Sequence, residues 1–305
     1  MANTAFLSPA LVKAAFIFAM VGYGTKAGLS PMHTWLPDAH SKAPSPVSAI
    51  FSGFMLNAAL YCIMRFIPIT EATLGHSGWA LNYLTGFGLL SILMASAFIL
   101  FQHDIKRFLA YCSVENLGII AFGLGIGGLG TFAALFHMLN HSLSKSLAFF
   151  AAGRLGQSFG THNIEKMSGS YLISPVWGTG IFVSILILIG VAPFSLFMSE
   201  FQILKAAIDS NRILLVLMFL IGTVTVFVGA LRYALPLAFG EADPKVETIP
   251  TRKLDVFLVA VPLIILLVLG LWMPKPLQSV LNRAAAVIQI SPAPNPVPAL
   301  PGDKP

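Results

Sequence analysis

Apolar residues gather along this chain into long, nearly unbroken runs separated by short polar or glycine-rich links. A run of about 20 apolar residues has the length of a helix that crosses the hydrocarbon core of a bilayer. About eight such runs are predicted as spanning helices: 10–30, 46–67, 79–101, 107–126, 130–152, 174–207, 213–239 and 253–273. Links such as Gln102-His103-Asp104 and Gly127-Gly128-Leu129-Gly130 divide them. Backbone in hydrocarbon must satisfy its own hydrogen bonds, and a helix does so within one segment. A barrel would instead show ten-residue segments of alternating polarity, which this sequence lacks. The pattern therefore predicts an all-α, polytopic membrane helix bundle.

Two runs are interrupted. The first contains Gly22-Tyr23-Gly24-Thr25-Lys26-Ala27-Gly28 and ends at Pro31; the sixth contains Gly190-Val191-Ala192-Pro193-Phe194-Ser195 and continues to Glu200. Glycine and proline at mid-membrane free backbone carbonyls, which is tolerated only beside protein or a wet cavity. Paired discontinuous helices, each a few residues from an ionisable side chain, point to an inverted-repeat transporter. Two ordinary kinks are the competing reading. Beyond Met273, Leu277, Val280, Leu281, Ala284, Val287 and Ile288 recur at helical spacing with Arg283 off the stripe, which predicts an interfacial helix. Prolines at 292, 294, 296, 298, 301 and 305 predict a disordered or polyproline tail from Ser291 onward.

Composition sharpens this picture. Of 305 residues, 56% are hydrophobic and 10% charged, whereas a soluble domain carries about a quarter charged residues. Too little polar surface remains to wet a globule, so the lipid bilayer is the expected solvent. The net charge of +6 does not imply nucleic-acid binding, because the lysines and arginines are scattered at the ends of apolar runs. Lys42, Lys106, Arg107, Arg154, Lys166, Lys245, Arg252 and Lys253 fall on one side, and Lys13, Arg65, Lys205, Arg212, Lys275, Arg283 and Lys304 on the other. That bias favours the first set as cytoplasmic and the N-terminus as external. Cys62 and Cys112 lie in separate runs and read as buried thiols. No signal peptide is expected from the N-terminal pattern.

An ionised group at the bilayer centre costs at least about 3 kcal/mol, so each buried one needs a reason. His137, His141 and Lys145 fall at i, i+4 and i+8 on one helix face. Successive groups lie about 6 Å apart along that stripe, a gap that single waters can close into a proton relay. Zinc at the two histidines lacks a third ligand nearby, and no metal is expected. A structural polar seam satisfied by serines and Asn140 is the serious alternative, although such a seam has little need of a lysine. Lys26 and Glu200, beside the two breaks, form the next pair, and Lys26 could instead snorkel to the interface. Glu115 can pair with a lysine of a neighbouring helix, cap a water path or form a plain structural ion pair. Asp104, Lys106 and Arg107 sit at the membrane surface, where they set topology or offer protons a way in.

The residues Gly22 to His40, which include His33-Thr34-Trp35-Leu36-Pro37-Asp38-Ala39-His40, resemble a signature of antiporter-like membrane subunits. Such subunits occur in respiratory complex I, Mrp-type cation/proton antiporters and group 4 membrane-bound hydrogenases. Asp104-Ile105-Lys106-Arg107 with Leu109-Ala110-Tyr111 and Ser113 is similar to a second family motif. The stripe from Phe136 to Lys145 is similar to a third, and Pro193-Phe194-Ser195 with Ser199-Glu200-Phe201 to a fourth. The resemblance covers about residues 10–270, and within the family the F-type membrane component of hydrogenase-4 is the most similar.

The resemblance implies an inverted-repeat, antiporter-like fold with two discontinuous helices. Its expected parts are a remnant of a truncated first repeat over 1–78, a complete five-helix second repeat over 79–240, an additional helix over 241–274, and an interfacial helix and tail over 275–305. It also implies helices before residue 10 that are not represented here, including a glutamate that pairs with the broken-helix lysine. Lys26 would be the lysine of one half-channel, Lys145 with His137 and His141 the central relay, Glu200 the terminal group and Asp104 a neighbour of the cytoplasmic mouth. Asn57 and Ser52 stand where some relatives carry lysine or histidine, so the link from Lys26 to Lys145 would depend on water. The implied function is proton translocation by a subunit of a redox-driven complex in the cell inner membrane. Other membrane subunits and a peripheral redox arm would be its partners. No cofactor is expected on this chain, which has no cysteine cluster, P-loop or Rossmann fingerprint. A sodium/proton antiporter subunit and a truncated, non-pumping scaffold are the alternatives.

Overall fold

Helix α1 spans Pro9–Ala27, with proline at the first helical position, where its missing N–H costs nothing. The structure, a computed structural model, describes residues 7–248 and 250–289. Gly28, at φ 78°, stops α1 in the left-handed conformation that favours glycine. A short non-helical stretch leads to α2, Trp35–Lys42. Helix α3, Ser45–Thr73, carries a π-helical turn at Phe51–Met55. Then follow α4, Trp79–Ile99; α5, Ile105–Ile126; and α6, Leu129–Phe159. Single helical turns at Glu165–Met167 and Ser170–Ile173 precede α7, Pro175–Leu188. The described residues end with α8, Ser195–Asp209; α9, Ile213–Phe239; α10, Lys253–Leu271; and α11, Lys275–Ile288.

The molecule is an all-α membrane bundle, and among the described residues six helices are long and apolar enough to cross a membrane: α1, α3, α4, α5, α9 and α10. Helix α6 misses that criterion because its polar stripe lowers its hydropathy, not because it is short. Helix α5 is the central pillar, with 94% of its most apolar window buried, against 28% for α1 and 22% for α10. Small residues let α4 and α5 touch backbone to backbone. A Cβ on Gly88 would fall 2.4 Å from the Phe122 nitrogen, and one on Gly118 would fall 2.7 Å from the Gly88 oxygen. Without a hydrophobic force between helices in lipid, such close approach is what holds them together.

Several expectations change. The first run is not broken at Gly22–Gly28: α1 continues through both glycines and Lys26, and the break lies at Gly28–Thr34. Lone glycines do not stop a helix, whereas Gly28 followed by Pro31 does. The break expected in the sixth run, 174–207, is present: two helices are joined there by a non-helical segment around Gly190–Pro193. Helix α6 runs to Phe159, well past the expected 152. The amphipathic helix after Met273 forms, but Leu281 and Ala285 are its buried residues while Val280 and Val287 stay exposed. It clamps the α5–α6 link, where Gln289 Nε2 donates to the Gly128 carbonyl. The proline-rich tail and Lys304 lie outside the described residues.

Candidate functional site

Helix α6 places His137, His141 and Lys145 on one stripe, and all three are fully buried. Helices α5 and α8 supply the surroundings of this stripe. His137 is held on both ring nitrogens, Nδ1 2.9 Å from Ser199 Oγ and Nε2 3.0 Å from Asn116 Oδ1. One turn on, both ring nitrogens of His141 are buried without a protein partner among the described residues. Lys145 Nζ donates to the Leu109 carbonyl at 2.6 Å. Asn140 donates to the Ser195 carbonyl at 3.2 Å, tying the second break to this stripe. A serine and an asparagine thus satisfy His137, but the asparagine is Asn116 and not the expected Asn140, and His141 is left open.

Carboxylates approach from α5 and α8. Glu115 is buried and its Oε2 has no hydrogen-bond partner among the described residues. No lysine forms an ion pair with it among those residues, contrary to one expectation. It lies within Coulomb range of both Lys145 and Glu200. Glu200 is half-buried on α8 beside Gly190, whose φ of +72° and lack of a side chain make room for the carboxylate: a Cβ there would sit 2.4 Å from Oε2. A groove of about 180 Å³, lined by Phe197, Phe201 and Phe227, opens beside Glu200.

Near Lys145 stands the last residue of the His33–His40 signature, to which no role in the relay was given. His40, on α2, is 2% exposed, packs its ring 5.3 Å from that of Phe149, and has no partner for Nε2 among the described residues. It lies within Coulomb range of both Lys145 and Lys106. Lys106 donates to the Ala43 carbonyl. Asp104 caps α5, accepting the Arg107 N–H at 2.9 Å, while Arg107 pairs with Asp38. Nothing in the spacing of His40 relative to the stripe could have joined them, because α2 reaches Lys145 only through packing. Asn116, and the pairing of the motif residue Ser199 with His137, were missed for the same reason, although a lone asparagine in the apolar run 107–126 was a visible signal.

Lys26 does not join this group. It is exposed on the lateral face of α1, lining an apolar groove of about 410 Å³ with Tyr23, Met55 and Cys62. Asn57 is buried on α3, donating to the Gly53 carbonyl at 2.9 Å and to Ser142 Oγ at 2.8 Å, and Ser52 Oγ lies 2.8 Å from Ser113 Oγ. Asn57 thus ties α3 to α6, and Ser52 ties it to α5. The π turn puts Gly53 against α6, where a Cβ would meet Ser146 Oγ at 2.8 Å. No cluster of metal-binding side chains is present among the described residues.

Known proteins are similar to this chain in sequence and fold. A hydrogenase-4 component F homolog of Methylacidiphilum infernorum is 42% identical over 253 residues, covering 83% of this chain and 52% of that protein. A Na(+)/H(+) antiporter subunit A1 of Staphylococcus epidermidis is 31% identical over 309 residues, covering 92% of this chain and 38% of its own length. Among solved structures, a chain of the membrane-bound sulfane sulfur reductase, an archaeal respiratory membrane complex, superposes with a TM-score of 0.82 at 28% identity over 92% of this chain and 57% of that one. The chain therefore spans about half or less of the curated relatives it matches. The family described as NADH:quinone oxidoreductase/Mrp antiporter, TM, matches residues 2–226, and the protein belongs to that family.

Proposed function

We propose that this chain is a proton-translocating membrane subunit of a redox-driven complex of the hydrogenase-4 or NADH:quinone oxidoreductase kind, resident in the cell inner membrane. One observation carries the reading: a fully buried lysine adjoins a histidine, a second histidine and a glutamate whose polar atoms lack protein partners. Unsatisfied buried polar groups cost about 1–3 kcal/mol each, and a purely structural seam would have removed them. Groups of this kind are satisfied by internal water, and water between titratable groups is what a proton relay needs.

In this reading Lys106 receives protons at the cytoplasmic end and His40 passes them to Lys145. His141 and His137 extend the path along α6, where Asn116 and Ser199 hold the His137 ring in a fixed orientation. Glu115 couples Lys145 to Glu200 by charge, so a proton arriving at one changes the cost of holding a charge at the other. Lys26, with Asn57 and Ser52 as polar groups on α3, serves a second half-channel through water. Residues 1–78 act as part of a first repeat and 79–240 as the second, with 241–274 as an added helix and 275–305 as the interfacial segment. The partners are other membrane subunits and a peripheral arm that holds the redox centres, with none on this chain.

The test is redox-driven acidification in vesicles carrying the whole complex. Lys145→Ala should abolish it with assembly intact; unchanged acidification would leave only a scaffold role. Sodium/proton exchange is a second reading, favoured by the 31% identity to the staphylococcal antiporter protein. Acidification that needs sodium and no electron donor would select it.

A further inference from the structure

A cavity of about 700 Å³ opens at one end of the bundle, apart from the relay except where it meets Lys106. Four helices begin on its rim. Ser45, Lys106, Trp177 and Asp255, all lining it, belong to the first turns of α3, α5, α7 and α10. Those starts place positive dipole ends at the rim.

The side chains add charge of the same sign. Lys106, Arg154 and Arg252 line the cavity. Asp255 is its single carboxylate, and that group accepts the backbone N–H of Arg252 at 3.2 Å. Trp177 is 4% exposed, and its indole N–H has no acceptor among the described residues. An indole can only donate, so this orphan asks for an oxygen acceptor. His162 also lines the space with an unpartnered Nδ1. Burial and the nearby Lys106 charge hold its imidazole below the usual value, so it stays neutral near pH 7.

We propose that this cavity binds the phosphate of an anionic phospholipid, with Arg154, Arg252 and the Trp177 N–H as donors. Arginine presents a planar fork that matches phosphate oxygens, and basic pockets between membrane helices suit such headgroups. A lipid, not a free anion, fits because Phe150 and Leu258 line the same space with 44% and 45% of their surface exposed, an apolar flank for acyl chains. The acid headgroup would also lie beside Lys106, balancing cations gathered where protons enter.

Native mass spectrometry of the delipidated complex, titrated with phosphatidylglycerol, phosphatidylcholine or inorganic phosphate, tests this. Phosphatidylglycerol should be retained about tenfold better than phosphatidylcholine, and Arg154→Gln with Arg252→Gln should erase the difference. Should that double variant fail to assemble, Trp177→Phe keeps an aromatic ring while removing the indole N–H, and should lower retention about threefold. Equal retention of the two lipids, or of phosphatidylglycerol by wild type and variants, would overturn the site. Displacement of the lipid by equimolar inorganic phosphate would overturn the lipid assignment.

Discussion

Lys26 and Lys145 are the same residue type on two apolar, membrane-length helices, and they meet opposite surroundings. Lys145 is enclosed by α5 and α6, fully buried, with the Leu109 carbonyl as its acceptor. Lys26 stands exposed on the open face of α1, above an apolar groove. Packing around α6 thus encloses Lys145, whereas α1 leaves its lysine on a lateral surface. Hydropathy cannot make that distinction, because it counts residues along one helix and not the neighbours that cover them. A lysine in a span is a functional signal only after packing shows what it faces.

The comparison can be broken most sharply at Lys145. Its replacement by alanine should lower redox-driven proton transfer in vesicles of the whole complex by about a hundredfold or more, the lower range for loss of a positioned proton-transfer group. Packing gives the next largest contrast. Gly88→Leu drives a side chain into the Phe122 backbone and should destabilise the protein by about 3 kcal/mol in a thermal shift assay in detergent. Gly22→Leu, where a Cβ meets nothing within 4 Å, should stay within about 0.5 kcal/mol of wild type. Equal shifts would show that α1 is as enclosed as α4.

His40→Ala should slow transfer about tenfold if the route to Lys145 passes through α2. A rate equal to wild type would remove His40 from the path without touching the stripe. The smallest effect concerns Lys26. A membrane-permeant amine reagent should modify Lys26 and spare Lys145, and Lys26→Ala should change the stability of this chain by no more than about 0.5 kcal/mol. Protection of Lys26 in the assembled complex, with exposure in the isolated chain, would show that a neighbouring subunit covers it.

Much of the architecture was legible from the pattern of apolar runs. The link at Gln102–Asp104 falls between α4 and α5 as expected, since Asp104 is a good cap and the run before it ends. The position of the first break was not legible, because glycines at 22 and 24 carry the same local signal whether they stop a helix or sit inside one. The stripe on α6 could be read from its spacing, a property of one helix. Its partners could not: Ser199, Asn116 and His40 come from three other helices.

The chain's own residues determined that it is a membrane protein, that it is helical, and which titratable groups lie in apolar runs. These follow from local rules: hydrocarbon leaves the backbone no partner but itself, and a helical period sets which side chains share a face. Tertiary structure alone decided that His137 is held and His141 is not, that His40 reaches the region of Lys145, and that Lys26 faces outward. Each depends on which helix lies against which, and in lipid that choice is made by close contacts such as Gly88 on Gly118, summed over the whole bundle.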